Sequence, residues 1–448
     1  MRVVFLLIWS VGLLSAQELF TKQTLQKYLT QENPFIYKTK AQEYIYKEQI
    51  KYFQGAFDTK LLLKYDKKRY PVTDGDFMEI NIQTPLQNGI EFLGGYREAT
   101  GLQEYNNIKT GENGELRLGV NLPVSALING MNSRKLNLYS ARLTTQKQSF
   151  QTKDNLRLLH FDIFSAYYKT LYAKALFTTE KELLEVAKKR KIIIQKRVKS
   201  GALADIALLE ANQHIINREQ RLVAAKNSFE NAQELFLQYL PVTKGEFEKH
   251  YTLPPLPEIS QNSLTLEQAF ALALEHRADL KVFTFETKKM AIEQQNARLL
   301  KYPNFNIALY GVHDLKYNNG FKVSLDMSFP FQRREYEGRS KEIIKKVQQV
   351  NNNKNIRLIT IKTQLAQTIH SLKNIFANVQ NAKKEILFVE KLQEAETKRY
   401  MLGLSNLFMV NQRELVTLKT KKKFLDYVLQ YLLLEEQLRK EIGNNLQY

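Results

Sequence analysis

Proline places the strongest constraint on this chain. It lacks a backbone donor and clashes with the preceding turn, so it is expelled from helix interiors. Of 448 residues only ten are Pro, and none falls between Val124 and Leu240 or between Phe331 and Tyr448, stretches of 117 and 118 residues. Each stretch follows a Pro, at Pro123 and Pro330, 207 positions apart. Each also carries the same element at a similar depth: "KRVKSGALADIALLEANQ" from Lys196 and "KRYMLGLSNLFMVNQREL" from Lys398, with Gly201 and Gly403 separated by 202 positions. Two long helices, each reversed at a Gly, are the simplest structure that fits.

The residues before each Pro match as well. "LRLGVNLPV" sets Leu116, Leu118, Val120 and Leu122 on one side against Arg117, Gly119 and Asn121 on the other. "FKVSLDMSFPF" sets Phe321, Val323, Leu325, Met327 and Phe329 against Lys322, Ser324, Asp326 and Ser328. Strict alternation marks strands with one apolar and one polar face. Partner strands are expected in "FDTKLLLKY" and "NFNIALYGV", and helices in "LFTKQTLQKYLTQENPFI" and "SLTLEQAFALALEHRADL". The chain thus reads as an internal duplication. A first repeat spans 17–252, with strands near 56–66 and 115–124. A linker at 253–262 leads to a second repeat over 263–448, with strands near 304–313 and 320–331. The first repeat has an additional segment, "FMEINIQTPLQNGIEFLGGY" over 77–98, in which Pro85 and Asn88-Gly89 separate two alternating runs like the turn of a hairpin. The sequence leaves open whether that hairpin joins the same sheet.

Lengths turn the repeat into geometry. Arg134 to Ser200 is 67 residues, about 100 Å of helix, and the return helix from Leu203 to Tyr239 and the next helix from Leu264 to Leu300 are about 55 Å each. Leu156, Leu159, Ile163, Ala166, Thr170, Ala173 and Phe177 step by three and four, a coiled-coil-like seam. Residues 1–16 read as a secretory signal peptide cut after Ala16: an apolar run from Val3 to Leu14, too short to span a membrane, then Ser15-Ala16. With no Cys the chain has neither disulfides nor a lipidation site, so packing alone must hold it. The formal charge of +20 is dispersed among Glu and Gln along helical stretches, as on solvated helix faces rather than a nucleic-acid footprint. In an exported chain, alternating strands of about ten residues fit the outer-membrane hydrocarbon. Four to six strands cannot close a barrel, so several copies must pool them. A soluble antiparallel sheet with its apolar face turned inward is the alternative.

The duplicated layout, the strand ends "LPV" and "FPF", the openings "TLEQAFALALEHRADL" and "TLQKYLTQENPFI" and the two Arg-x-x-x-Gly elements together resemble the TolC-type outer-membrane efflux and secretion channels, over essentially the whole chain after residue 16. The resemblance implies a mainly α fold with a small β portion. It implies a homotrimer whose strands form one shared transmembrane β-barrel, continued by a long periplasmic α-helical barrel. Its partners would be outer-membrane lipid, a periplasmic adaptor protein and an inner-membrane transporter, and its location the cell outer membrane with most of the mass in the periplasm. It also implies a passive exit duct for a tripartite efflux or type I secretion system, with neither catalysis nor cofactor. By position, Gly201, Ala202, Leu203, Gly403, Leu404 and Ser405 would be the hairpin tips where the adaptor docks. Asp205, Glu210, Met409, Asn411 and Gln412 would line the periplasmic constriction, and Arg197 and Arg399, one helical turn before each Gly, would either pair with a carboxylate across it or cap C-terminal carbonyls. Leu116, Leu118, Val120, Leu122, Phe321, Val323, Leu325, Met327 and Phe329 would face lipid. One departure is visible. Six positions after each tip Gly, where some channels of this family carry acidic residues, this chain has Ala207 and Met409. A gate narrowed by apolar and amide side chains is expected instead.

Other function classes fit less well. The six His residues are scattered without ligand spacing, and no P-loop, nucleophile elbow or phosphate-binding Gly-rich turn occurs, so neither a metal site nor enzyme activity is expected. A periplasmic coiled-coil adaptor or scaffold without a channel would share the helical hairpins. It would have no use for alternating strands set inside each of two repeats.

Overall fold

The structure, a computed structural model, describes residues 17–71, 74–101 and 109–443. The expected signal peptide at 1–16 lies outside them. By chain order the elements are β1 (Glu18–Leu19), α1 (Lys22–Tyr28), α2 (Pro34–Gln54), β2 (Lys60–Arg69), β3 (Asp74–Pro85), β4 (Glu91–Gly101) and β5 (Glu115–Pro123). There follow α3 (Val124–Asn129), α4 (Ser133–Lys199), α5 (Ile206–Leu237), α6 (Lys244–His250), β6 (Tyr251–Thr252), α7 (Leu266–His276), α8 (Ala278–Ala297), β7 (Asn304–Asp314), β8 (Asn319–Ser328), α9 (Arg334–Met401) and α10 (Leu407–Ile442). The Pro-free stretches hold continuous helices of 67 and 68 residues, α4 and α9.

Elsewhere the boundaries differ from the expectations in instructive ways. Gly55–Phe57 extends α2 as a 3-10 turn, so β2 begins at Lys60 rather than near 56. The strand after residue 319 ends at Ser328, leaving Phe329 beyond it, because Pro330 cannot donate to a ladder. The single helix expected at the start of each repeat is broken in two. In the first repeat α1 stops before Asn33, whose side chain accepts from the Phe35 backbone, and α2 restarts with Pro34, which suits a first helical turn. In the second the break is Arg277. Its guanidinium is buried and donates to the carbonyl of Glu441 at 3.0 Å and to the Glu441 carboxylate at 3.2 Å, holding the end of α10.

The described chain divides into two compact units, and both draw on both repeats. The first comprises residues up to 39, 154–277 and 360 onward. Its core gathers Phe20, Leu25, Leu29, Ile36, Ile163, Phe164, Tyr167, Phe236, Phe247 and Leu432. Phe20 is fully buried among the rings of Tyr28, Tyr167, Phe236, Phe247 and Tyr251, and the adjoining β1 pairs in parallel with β6. The seam read from α4 is internal: Leu156, Ile163, Thr170 and Ala173 are buried, and Thr170 donates across to the Ala232 carbonyl of α5 at 2.9 Å.

The second unit, 40–153 and 278–359, holds the sheet. Its order is β2-β3-β4-β5-β7-β8, antiparallel at every step, so the additional hairpin lies inside the sheet as β3 and β4. Register decides the faces, since directly paired residues point the same way. One row is Leu61, Ile82, Gly94, Leu118, Gly311 and Phe321; the next is Leu63, Ile80, Tyr96 and Leu116. The opposite face carries a ladder of alternating charge, Lys64–Glu79–Arg97–Glu115, ending at Asp314. Arg97 pairs with Glu115 and Arg117 with Glu79, so these charges neutralise one another within the sheet.

Candidate functional site

Two features stand out as sites, the hairpin turns of the first unit and the apolar face of the second. The two turns are built alike. At the end of α4 the Gly201 N–H donates to Val198 and the Ala202 N–H to Arg197; at the end of α9 Gly403 donates to Tyr400 and Leu404 to Arg399, all at 2.9–3.1 Å. This double closure is a Schellman motif, which needs a left-handed residue just past the helix. Gly201 and Gly403 supply it at φ +73° and +78°. A Cβ at either position would meet nothing within 4 Å, so Gly is required by the backbone and not by the space.

Past the turns the hairpins diverge. Asn406 caps α10 by accepting from the Met409 N–H at 2.9 Å, and Ser405 donates to the Glu396 carboxylate. Asp205, at the start of α5, makes no side-chain cap. Among the exposed residues at the turns are large apolar ones, Leu402, Leu404 and Phe408 on the second hairpin and Ile206 and Leu209 on the first. Beneath them Ile194, Ala211, Tyr400, Leu407 and Val410 form a small shared core, with Leu203 and Ala207 packed against it.

The residues expected at a constriction separate into groups. Arg197 reaches the other hairpin and donates to the Met401 carbonyl at 3.1 Å, tying the end of α9 to the end of α4. Arg399 stays on its own turn, toward the Leu404 carbonyl at 3.4 Å and Glu396 at 3.8 Å. Asp205, Glu210, Met409 and Gln412 are exposed. Asn411 faces Arg190 at 3.5 Å and so leads into a cluster that the sequence reading missed.

In that cluster Glu414 of α10 is 1% exposed and is surrounded by Arg190 of α4 and by His214 and Arg218 of α5. His214 lies at 3.4 Å and Arg218 at 3.8 Å, and Arg218, itself 2% exposed, also lies 3.6 Å from Glu180. Burial alone would raise the Glu414 pKa. Hydrogen bonds from His214 and Arg190 and the charges of Arg190 and Arg218 outweigh it and hold the group at about 2, against an ordinary 4.5. The unfolded chain therefore binds this proton more tightly than the folded one. The resulting stabilisation, about 3 kcal/mol, is complete above about pH 4.5 and disappears between there and about pH 2. Protection of the α10 amides against exchange, followed through an acid titration, should fall as the pH drops from about 4.5 to about 2. A signal was present in the sequence. Leu407, Val410, Glu414 and Leu418 step along the buried stripe of α10, and Ala211 and Arg218 along that of α5, so charges occupy core positions that only paired charges tolerate.

On the sheet, Leu116, Leu118, Phe321, Val323, Leu325 and Met327 are exposed, and Val120 and Leu122 half-buried, all on the apolar face with Leu61, Leu63, Ile80 and Ile82. Phe329 is exposed beyond the strand, its ring 5.4 Å from that of Phe331. Among the described residues no helix is long and apolar enough to cross a membrane, and no group of three or more His, Asp or Glu could hold a metal ion.

No family model matches the sequence, and no curated protein does. Solved structures do match. CusC, described for the conformational changes of folding and transmembrane channel formation, aligns over 94% of this chain and 92% of its own, with TM-score 0.71 and 11% identity. VceC, an outer-membrane protein of Vibrio cholerae, covers 94% and 95% with TM-score 0.69 and 14% identity. The open state of MtrE, an outer-membrane channel of Neisseria gonorrhoeae, covers 94% and 88% with TM-score 0.67 and 12% identity. The chain shares the fold of these proteins over 94% of its length.

Proposed function

We propose that this protein is the outer-membrane exit duct of a tripartite efflux or secretion system. Three copies share one transmembrane barrel and one helical tunnel, a periplasmic adaptor meets the hairpin tips, and an inner-membrane transporter supplies the energy. The observation that carries the reading is the sheet. One face is apolar from edge to edge and exposed, the other is a neutralised charge ladder, and among the described residues neither edge strand, β2 nor β8, has an outer partner. Lipid tolerates no open edge, so the strands must close between copies. A coiled-coil scaffold in water would gain nothing from such a face. The fold shared with solved outer-membrane channels supports the same conclusion.

The duct lowers the barrier to passage without doing chemistry. Its control lies in the hairpins. The Arg197–Met401 contact and the Glu414 cluster hold the two hairpins of one copy together, and the adaptor shifts the population toward a state in which they part. The apolar crown of Leu402, Leu404, Phe408, Ile206 and Leu209 is the surface it would grip.

The lipid-facing assignment has its own test. Leu118→Arg at the middle of the apolar face should cost about 2–4 kcal/mol of insertion and assembly, seen as lost heat-resistant oligomer in the membrane fraction. Arg117→Leu, on the opposite face, should spare the oligomer. Equal yields of Leu118→Arg and unaltered protein would turn the sheet the other way round.

A further inference from the structure

The two repeats contribute unequally to the sheet. The first gives β2, β3, β4 and β5, the second only β7 and β8. The difference is one whole hairpin, β3–β4, in which β3 pairs with β2 over Asp74–Gln83 and β4 with β5 over Glu91–Arg97. Direction alternates at each of the five junctions, so β2 and β8 run in opposite senses and β8 of one copy can meet β2 of the next with antiparallel geometry. Both edges also continue the two faces. Leu61 and Leu63 on β2 match Val323 and Leu325 on β8, and Lys64 and Asp66 match Ser324 and Asp326.

We infer that β8 pairs with β2 of a second copy of this chain and that three copies close a barrel of eighteen strands. The inference rests on the outer-membrane trimer proposed above. At a strand spacing of about 4.8 Å and a tilt of about 40°, eighteen strands enclose a backbone diameter of about 35 Å, against about 24 Å for twelve. Barrels of that strand number leave an open aqueous channel. The lining is wide and, with its Lys64–Glu79–Arg97–Glu115 ladder self-neutralised, selects neither charge sign. The membrane opening therefore suits bulky hydrated cargo, polypeptide or large solute, and leaves selection to the partners.

The absence of Cys makes a clean test possible. Leu62→Cys, Lys64→Cys or Asp66→Cys is combined with Ser324→Cys on the polar face and oxidised in the membrane. Within one chain these edges are five strand spacings apart, about 24 Å along the sheet, whereas a disulfide needs Cα atoms within about 7 Å. Any bond therefore joins neighbours. The expected result is a covalent ladder ending at three chains for one of the pairs, none for single-cysteine variants, and a barrel about 35 Å across in images of the purified ring. A ladder ending at two chains, a three-copy ring only about 24 Å wide, or a trimer that never crosslinks would each overturn the eighteen-strand barrel while sparing the channel. Failure to recover any membrane-embedded oligomer would overturn both.

Discussion

Replacing Glu414 with Ala should leave the protein folded but loosen its hairpins more than any other single change near the turns. The substitution removes the one anion that Arg190, His214 and Arg218 share, and Arg218 is left buried opposite Glu180 alone. Breaking a buried pair from one side costs about 3–5 kcal/mol, because the remaining charge cannot be resolvated. Amide exchange in α10 around Val410–Leu418 should accelerate by roughly a hundred- to a few-thousand-fold, with little change around Phe20 and Phe236. In planar bilayers the same variant should conduct more without adaptor, since the hairpins of each copy are no longer held together. Glu414→Gln keeps the shape and loses the charge, and should fall between. Unchanged exchange in Glu414→Ala would mean that the cluster contributes nothing to holding the tips.

The second large effect is expected at Gly403. Arg at this position should abolish export while leaving trimers in the membrane. Two terms separate cleanly. Positive φ costs a residue with a Cβ about 1–2 kcal/mol, a local strain that Gly403→Ala shares, and a Cβ at this position would meet nothing within 4 Å. Export by Gly403→Ala should therefore persist. What Arg adds is bulk and charge in the middle of the apolar crown formed by Leu402, Leu404 and Phe408. Adaptor crosslinking should drop with export. Normal efflux by Gly403→Arg with undiminished crosslinking would remove the docking assignment. Gly201→Arg is the informative companion, because the first turn lacks the Asn406 cap and the Ser405–Glu396 bond and presents Ala202 and Ala204 instead. A weaker defect is expected there.

Much of this was legible because the longest elements obey the simplest rules. Pro positions delimited α4 and α9, and strict alternation located β5, β7 and β8, since neither signal depends on tertiary context. The breaks at Asn33 and Arg277 were hidden because their cause is a buried guanidinium on the end of α10 and a cap that exists only after folding. The membership of β3 and β4 in the sheet depends on pairing, which periodicity alone does not encode. At the turns, Gly201 and Gly403 stood out because positive φ is nearly their private territory. The Glu414 cluster did not, because three helices contribute to it and each sequence shows only one charge out of place.

The central claim is that this sheet lies in an outer membrane as part of a shared channel. The most direct test is to fractionate cells expressing the full chain, purify the protein from the outer-membrane fraction, and measure its oligomeric state and its conductance in planar bilayers. The account predicts a heat-resistant trimer that conducts ions when inserted. A monomer confined to the soluble periplasmic fraction, without conductance, would contradict it.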